Sequence, residues 1–474
     1  MTATDGLLIA FKLSVLLFFL PVTLYSLFHY LNFKGNYTFA LSMGLSPTLL
    51  SWFYMVLLRF APGHSSTFYL LLTTVPLVFS SLQPSILPNF LKEFSIFKPI
   101  FEEKIYLTIT GFLLLFILLW YINMPLLGND SLEYFYISHL IDVKKDLGFY
   151  PNVSSVDSQG LLAPFTHPIG YPALLAWGQL TLGAEFGLFT GKVLSFLCIF
   201  LTLFVACIIQ IKENIKPCML FSLIFLTTPL VYSNVLEAHI DSIRMLLFLL
   251  AIIALYDHFT NQGSLILVGV SCGLSWFAHS SGLLTLAVVL GTYGFFSLLQ
   301  DRCLSIRVIK NIFVGSSIII FSSLFFVLLD VIKIYSVHGR LIGDLENIQI
   351  ITYLSNEYEH YFAVSRKIGS LDEKFFRLVE QLFFSPFEYG FSYWLGVIGI
   401  FLCFKPTVKD LRDNKWDYMD FIFTVVFFFF VIVILATLLG KNTFVFNPRY
   451  LLQALPLVAF FGILSLRRLL NAKI

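Results

Sequence analysis

Long apolar blocks recur along the whole chain, and this layout limits the fold more than any motif does. The runs fall at about 7–31, 37–60, 67–91, 105–124, 187–210, 217–235, 240–258, 264–280, 282–299, 312–333, 389–404, 418–439 and 449–466. A helix needs about 20 mainly apolar residues to cross a bilayer. The thirteen runs therefore predict thirteen spans of an all-α, polytopic membrane protein. Composition agrees: 58% of the 474 residues are hydrophobic, 12% are charged, and Phe occurs 54 times. Soluble domains carry about a quarter charged residues, so such a chain could not cover a water-facing surface. A disordered chain, a collagen-like fibre and a disulfide scaffold are excluded on the same grounds. A shorter apolar stretch, 169–183, is too short to cross upright and reads as an interfacial or re-entrant helix.

The net charge of +2 says little about partners, and the scattered basic residues leave no nucleic-acid footprint. The six cysteines lie within spans or at their ends, and none has zinc-ligand spacing, which makes them packing residues. Charge placement says more. With thirteen spans, sixteen basic residues from Lys34 to Lys473 fall in loops on one side, among them Lys92, Lys212, Arg307, Lys409 and Arg467. Basic loops mark the cytoplasmic side. The opposite side carries the two long connections, 125–186 and 334–388. Loops of that length in a tight bundle are usually functional, so the working face points outward.

Ionisable groups also collect at the outer ends of the spans, carboxylates and histidines among them. Simple interfacial anchoring would use mainly Lys, Arg and aromatics. After the span ending near Met124, Gly128-Asn129-Asp130-Ser131-Leu132-Glu133-Tyr134 predicts a new amphipathic helix, capped by Asp130 or Ser131 and running through Ile141. Asp130 and Glu133, three apart, can share a face of its first turn, and an ionised carboxylate there suits a general base as well as a plain cap. His167-Pro168-Ile169-Gly170-Tyr171-Pro172 opens the short apolar stretch and forbids a regular helix entry.

Two further constellations follow. Glu237, Asp241 and Arg244 fall on one helical stripe beside His239, either facing a cavity or closing a hairpin as an ion pair. Arg449, in Asn447-Pro448-Arg449-Tyr450, can grip a phosphate with two parallel hydrogen bonds or snorkel to the headgroups. Lys333 and Lys441 are weaker versions of the same idea, and His279 at an outer hairpin adds a polar group. No spacing typical of a metal site is present, and a divalent cation stays open as a cofactor.

In their order and common outward side, these motifs resemble the GT-C superfamily of membrane glycosyltransferases, which includes protein O-mannosyltransferases and aminoarabinose-lipid A transferases. The matches are Asp130-Ser131-Leu132-Glu133-Tyr134, His167 to Pro172, Glu237 to Asp241, and Pro448-Arg449-Tyr450-Leu451-Leu452 with Pro456. The resemblance covers about 105–470, which divides the chain into a three-span extension, 1–104, and a core, 105–474. It departs from the family in that extension, in the Asp-x-x-Glu spacing of its acids, and in His279 where relatives often carry Lys.

The resemblance implies an inverting transfer of a sugar from a polyprenyl-phosphate donor to a lipid, glycan or protein acceptor. It makes Asp130 the general base, with Glu133 beside it, and Arg449 the group that meets the leaving phosphate, with Lys333, Arg340 or Lys441 as substitutes. His167, Tyr171, Glu237, His239, Asp241, Arg244 and His279 would line the substrate site. The expected setting is a bacterial inner membrane with the site facing the periplasm or exterior. A carrier or flippase for a lipid-linked or polar solute is the alternative, although transporters put charges nearer mid-bilayer. An O-antigen-type polymerase or ligase is a further one.

Overall fold

The computed structural model describes residues 8, 11–33, 35–81, 86–98, 104–123, 129–148, 150, 168–180, 187–213, 219–229, 231, 240–301, 305–338, 371–372, 375–376, 379, 386–439 and 449–471. Every regular element among them is helical. In chain order they are α1 (Phe11–Tyr30), α2 (Thr38–Phe60), α3 (Ser66–Ser81), α4 (Ile86–Glu93), α5 (Lys104–Asn123) and α6 (Asn129–Lys144). There follow α7 (Gly170–Gln179), α8 (Gly187–Lys212), α9 (Met219–Leu226), α10 (Asp241–Asn261), α11 (Leu265–Ala278) and α12 (Gly282–Asp301). The last are α13 (Ile306–His338), α14 (Pro386–Asp413), α15 (Tyr418–Leu439), α16 (Arg449–Leu452) and α17 (Leu455–Asn471).

Seven of these helices are long and apolar enough to cross a membrane, and an eighth crossing results if the bent pair Ser66–Ser81 and Ile86–Phe97 is one broken span. This is the make-up of a multi-pass membrane protein. Three of the expected runs differ from the continuous spans read in sequence, and that at 449–466 is interrupted by a turn at Gln453 and Ala454 between α16 and α17. The run at 67–91 is bent by 86° between α3 and α4, and Pro84 stands in the break. The run at 217–235 stops being regular helix at Leu226, and Thr228 precedes Pro229 there. Proline disfavours helix for the residue before it and cannot donate a backbone hydrogen bond.

α10 is the axis of the bundle. Every residue from Asp241 to Asp257 is buried, so the helix is apolar on all sides because it is surrounded by protein. Asp241 in its first turn suits the positive end of the helix dipole, and Gln262, at φ 58°, ends it in the left-handed conformation that closes many helices. α7 is also buried along its whole length, so protein surrounds this short helix on every side. Peripheral helices look different. α13 exposes Phe313, Phe321 and Phe325, and α5 exposes Phe112, Phe116 and Leu119, as helices bathed in lipid do.

The N-terminal helices are not a separate layer. Tyr37, just before α2, donates to Glu213 at 2.6 Å, and Tyr256 of α10 donates to the other oxygen at 2.9 Å. The Asn36 amide donates to Asp257 at 3.0 Å, and Lys212 reaches the Asn36 carbonyl. At the opposite end, Arg59 of α2 pairs with Asp330 of α13, the Gly63 amide donates to the Lys145 carbonyl at 2.9 Å, and Ser51 donates to the Gly170 carbonyl. Groups expected on the cytoplasmic side thus meet one another, and so do groups expected on the outer side. α2 also packs directly against α7 and α10.

Candidate functional site

At the N-terminal end of α10, Asp241 and Arg244 form an ion pair one turn apart, and their side chains are 1% and 3% exposed. Removing two charges from water costs several kcal/mol, so such a pair persists only when its other valences are met. Arg244 meets one by donating from Nη2 to Gln453 Oε1 at 3.3 Å. Gln453 follows α16 directly and stands four residues after Arg449, one helical turn along. The buried pair therefore fastens the start of the final helices to α10.

Beside the pair, Tyr171 of α7 hydrogen-bonds with Ser195 of α8 and lies close enough to Asp241 to interact electrostatically. Ser242 hydrogen-bonds with Cys198, so this cysteine has a polar partner besides its packing. The ring of Tyr171 meets the ring of Tyr134 edge to face, with centroids 5.4 Å apart. Tyr134 belongs to α6, the helix predicted to follow Gly128; it starts at Asn129, so Asp130 and Ser131 lie inside its first turn and neither is the cap that the sequence suggested. Asp130 stands one turn before Tyr134 and Glu133 stands next to it. For Asp130, Glu133 and Arg449 the backbone is described and the side chain is not.

A contact chain thus runs from α6 through Tyr134 and Tyr171 to Asp241, Arg244 and Gln453. It brings together segments of the acidic, the His-Pro, the outer-hairpin and the Pro-Arg-Tyr motifs. Gly170 makes the approach possible: a Cβ there would collide with the Phe277 carbonyl oxygen of α11.

His279 and Lys333 occupy other positions. His279 follows α11, is buried, and accepts the Ser281 amide at Nδ1 at 3.1 Å, while Ser281 Oγ lies 2.8 Å from the same nitrogen. Accepting at Nδ1 leaves the ring proton on Nε2. The histidine thereby closes the hairpin into α12. Lys333 is partly exposed on α13, one turn beyond the Asp330 that Arg59 engages. His167, Glu237, His239, Arg340 and Lys441 lie outside the described residues. Among the described residues no group of three or more His, Cys, Asp or Glu could hold a metal ion.

Three participants escape a reading of motifs. Gln453 directly follows the Pro-Arg-Tyr-Leu-Leu stretch and is not part of it, yet an amide inside an apolar run, one turn from Arg449, is a signal on intramembrane polarity alone. Arg59 closes a span and reads as an ordinary anchor until its partner is seen. Lys12, near the start of the first span, is buried at 5% exposure. Comparisons of the chain with protein-family models, curated proteins and solved structures returned no match.

Proposed function

We propose that the chain is a GT-C-type membrane glycosyltransferase of thirteen spans. It would move a sugar from a polyprenyl-phosphate donor to a lipid, glycan or protein acceptor at the outer face of a bacterial inner membrane. The observation that carries this reading is the contact chain from Tyr134 through Tyr171, Asp241 and Arg244 to Gln453. It joins segments of four motifs that lie far apart in sequence.

In this reading Asp130 takes the proton from the acceptor hydroxyl or amine. The acceptor lone pair forms a bond to the anomeric carbon from the face opposite the phosphate. The bond from carbon to phosphate oxygen breaks, its electron pair leaves with the polyprenyl phosphate, and the configuration inverts. Arg449 meets the developing negative charge, and electrostatic stabilisation of that kind is often the largest catalytic contribution. Asp241 and Arg244 neutralise each other, so their part is positioning: through Gln453 they set the final helices against α10, and through Tyr171 they set α7 against α6.

The test incubates the purified protein with polyprenyl-phosphate hexoses and pentoses plus lipid, glycan and peptide acceptors, and measures release of polyprenyl phosphate. The reading expects acceptor-dependent release that Asp130→Asn abolishes. Full turnover by Asp130→Asn would remove the general base from the scheme. Passage of intact donor across a vesicle bilayer with no transfer would overturn the enzyme reading in favour of a carrier.

A further inference from the structure

The start of α7 is capped from outside the helix. Ile169, its N-cap residue, is apolar and makes no side-chain cap bond. The third helical residue, where a glutamate would reach back to the N-cap amide in a capping box, is Pro172. Residues 168 to 171 are all buried, so the free amides here need partners from elsewhere in the protein.

Asp330 of α13 supplies one. The Ile169 backbone amide donates to its carboxylate, and a carboxylate also suits the positive end of the helix dipole. Asp330 is 1% exposed, and Arg59 of α2 balances its charge through their ion pair. The two residues thus do from other helices what a capping box does within one. α2 holds the same turn a second time, because Ser51 donates to the Gly170 carbonyl. Further along α7, Trp177 Nε1 donates to Thr73 of α3 at 3.1 Å.

The turn held in this way carries Tyr171, whose ring meets Tyr134 of α6 and which lies close to Asp241. Asp130 stands on α6 one turn before Tyr134. One turn after Tyr134, Ser138 accepts from Gln179 Nε2 of α7 at 2.9 Å. α6 is therefore fastened to α7 at two points, and a shift of α7 carries α6 with it.

We propose that Arg59 and Asp330 are positioning residues: jointly they cap α7, and they thereby hold Tyr171, and the helix that carries Asp130, in the arrangement the reaction uses. The positioning role rests on the glycosyl-transfer reading, and the cap does not. The proposal gives the three-span extension a task, since Ser51 and Arg59 both belong to it.

Two double variants separate the cap from the ion pair. Arg59→Met with Asp330→Leu and Arg59→Met with Asp330→Asn each remove both charges, so neither strands one. Only the asparagine keeps an acceptor for Ile169. The full-length proteins in detergent are compared by hydrogen exchange of peptides covering 168–180, and by kcat and KM for release of polyprenyl phosphate. In the leucine variant these peptides should exchange about fivefold faster than in the asparagine variant, the usual effect of deleting a helix cap. Its kcat should fall about 10²-fold with KM nearly unchanged, the loss expected from a small misplacement, and the asparagine variant should recover most of it. Equal exchange in the two variants would overturn the proposal. Faster exchange with equal kcat would leave a cap that positions nothing. Faster exchange in a protein whose wild type releases no polyprenyl phosphate would defeat the glycosyl-transfer reading, and the positioning role with it, while the cap stands. Should the leucine variant fail to fold, Arg59→Met with Asp330→Ala takes its place under the same criteria.

Discussion

Arg244 of α10 and Gln453 at the start of the final helices share a hydrogen bond across 209 positions of sequence, and both side chains are almost completely buried. The bond is a charge-assisted one, and Asp241 holds the same guanidinium from the other side. Gln453→Leu keeps the volume and removes the acceptor. It should cost about 1–3 kcal/mol, because a buried donor is left unmet. The lowered thermal midpoint in detergent is the measurement. Arg244→Met alone should cost about 3–5 kcal/mol, since it strands the Asp241 charge, whereas Arg244→Met with Asp241→Leu should recover most of that loss. Additive costs in the double variant would mean that the pair is not coupled.

Asp130→Asn should lower kcat by about 10²- to 10⁴-fold, the usual contribution of general-base catalysis, with the thermal midpoint unchanged. Glu133→Gln should have the smaller effect. Release of polyprenyl phosphate under saturating acceptor gives kcat, and a loss of activity matched by a loss of stability in Asp130→Asn would assign the residue to holding the first turn of α6 instead.

Gly170→Ala tests the close approach of α7 to α11. The added Cβ meets the Phe277 carbonyl, which is backbone and cannot swing away. Overpacking of this kind costs about 1–3 kcal/mol. Because Tyr171 is the next residue, the same change should displace its ring from Tyr134, and loss of turnover beyond the loss of folded protein is expected. A variant as stable as wild type would show that the helices separate without strain.

At the opposite end of the bundle, burial raises the phenol of Tyr37, just outside α2, well above its ordinary range, and its hydrogen bond to Glu213 adds to this. A folded-state value raised above the unfolded one means that the contribution to stability is fully present below about pH 10 and is lost as pH rises beyond it. Unfolding midpoints measured from pH 8 to 11 should therefore fall at the alkaline end. The fall should be shallower in Tyr37→Phe, which should also cost about 1 kcal/mol at neutral pH through the lost bond. An identical slope in both proteins would assign the alkaline loss to other groups.

Much of the architecture was legible residue by residue. Pro125 and Gly128 announced the break before α6, although the helix starts at Asn129 and takes the predicted caps Asp130 and Ser131 into its first turn. Asp241 and Arg244 announced a contact because residues three apart share a helix face. Other features were illegible in a single segment. The 86° bend between α3 and α4 hides inside one apolar run, and α7 has the composition of an interfacial helix although protein surrounds it. Hydropathy describes how a segment partitions between water and an apolar phase, and lipid and protein interior look alike on that scale.

Sequence alone determined that the chain lives in a bilayer as helices, and it separated the groups of the two ends. Apolar run length and charge placement are local quantities, and the bilayer imposes them on each segment singly. The tertiary structure decided which partners from elsewhere in the chain meet the buried charges: Gln453 meets Arg244, and Asp330 meets Arg59. A charge in a low-dielectric interior must find a partner, and helical periodicity names only the partners on its own helix. The rest come from how helices hundreds of residues apart pack side by side.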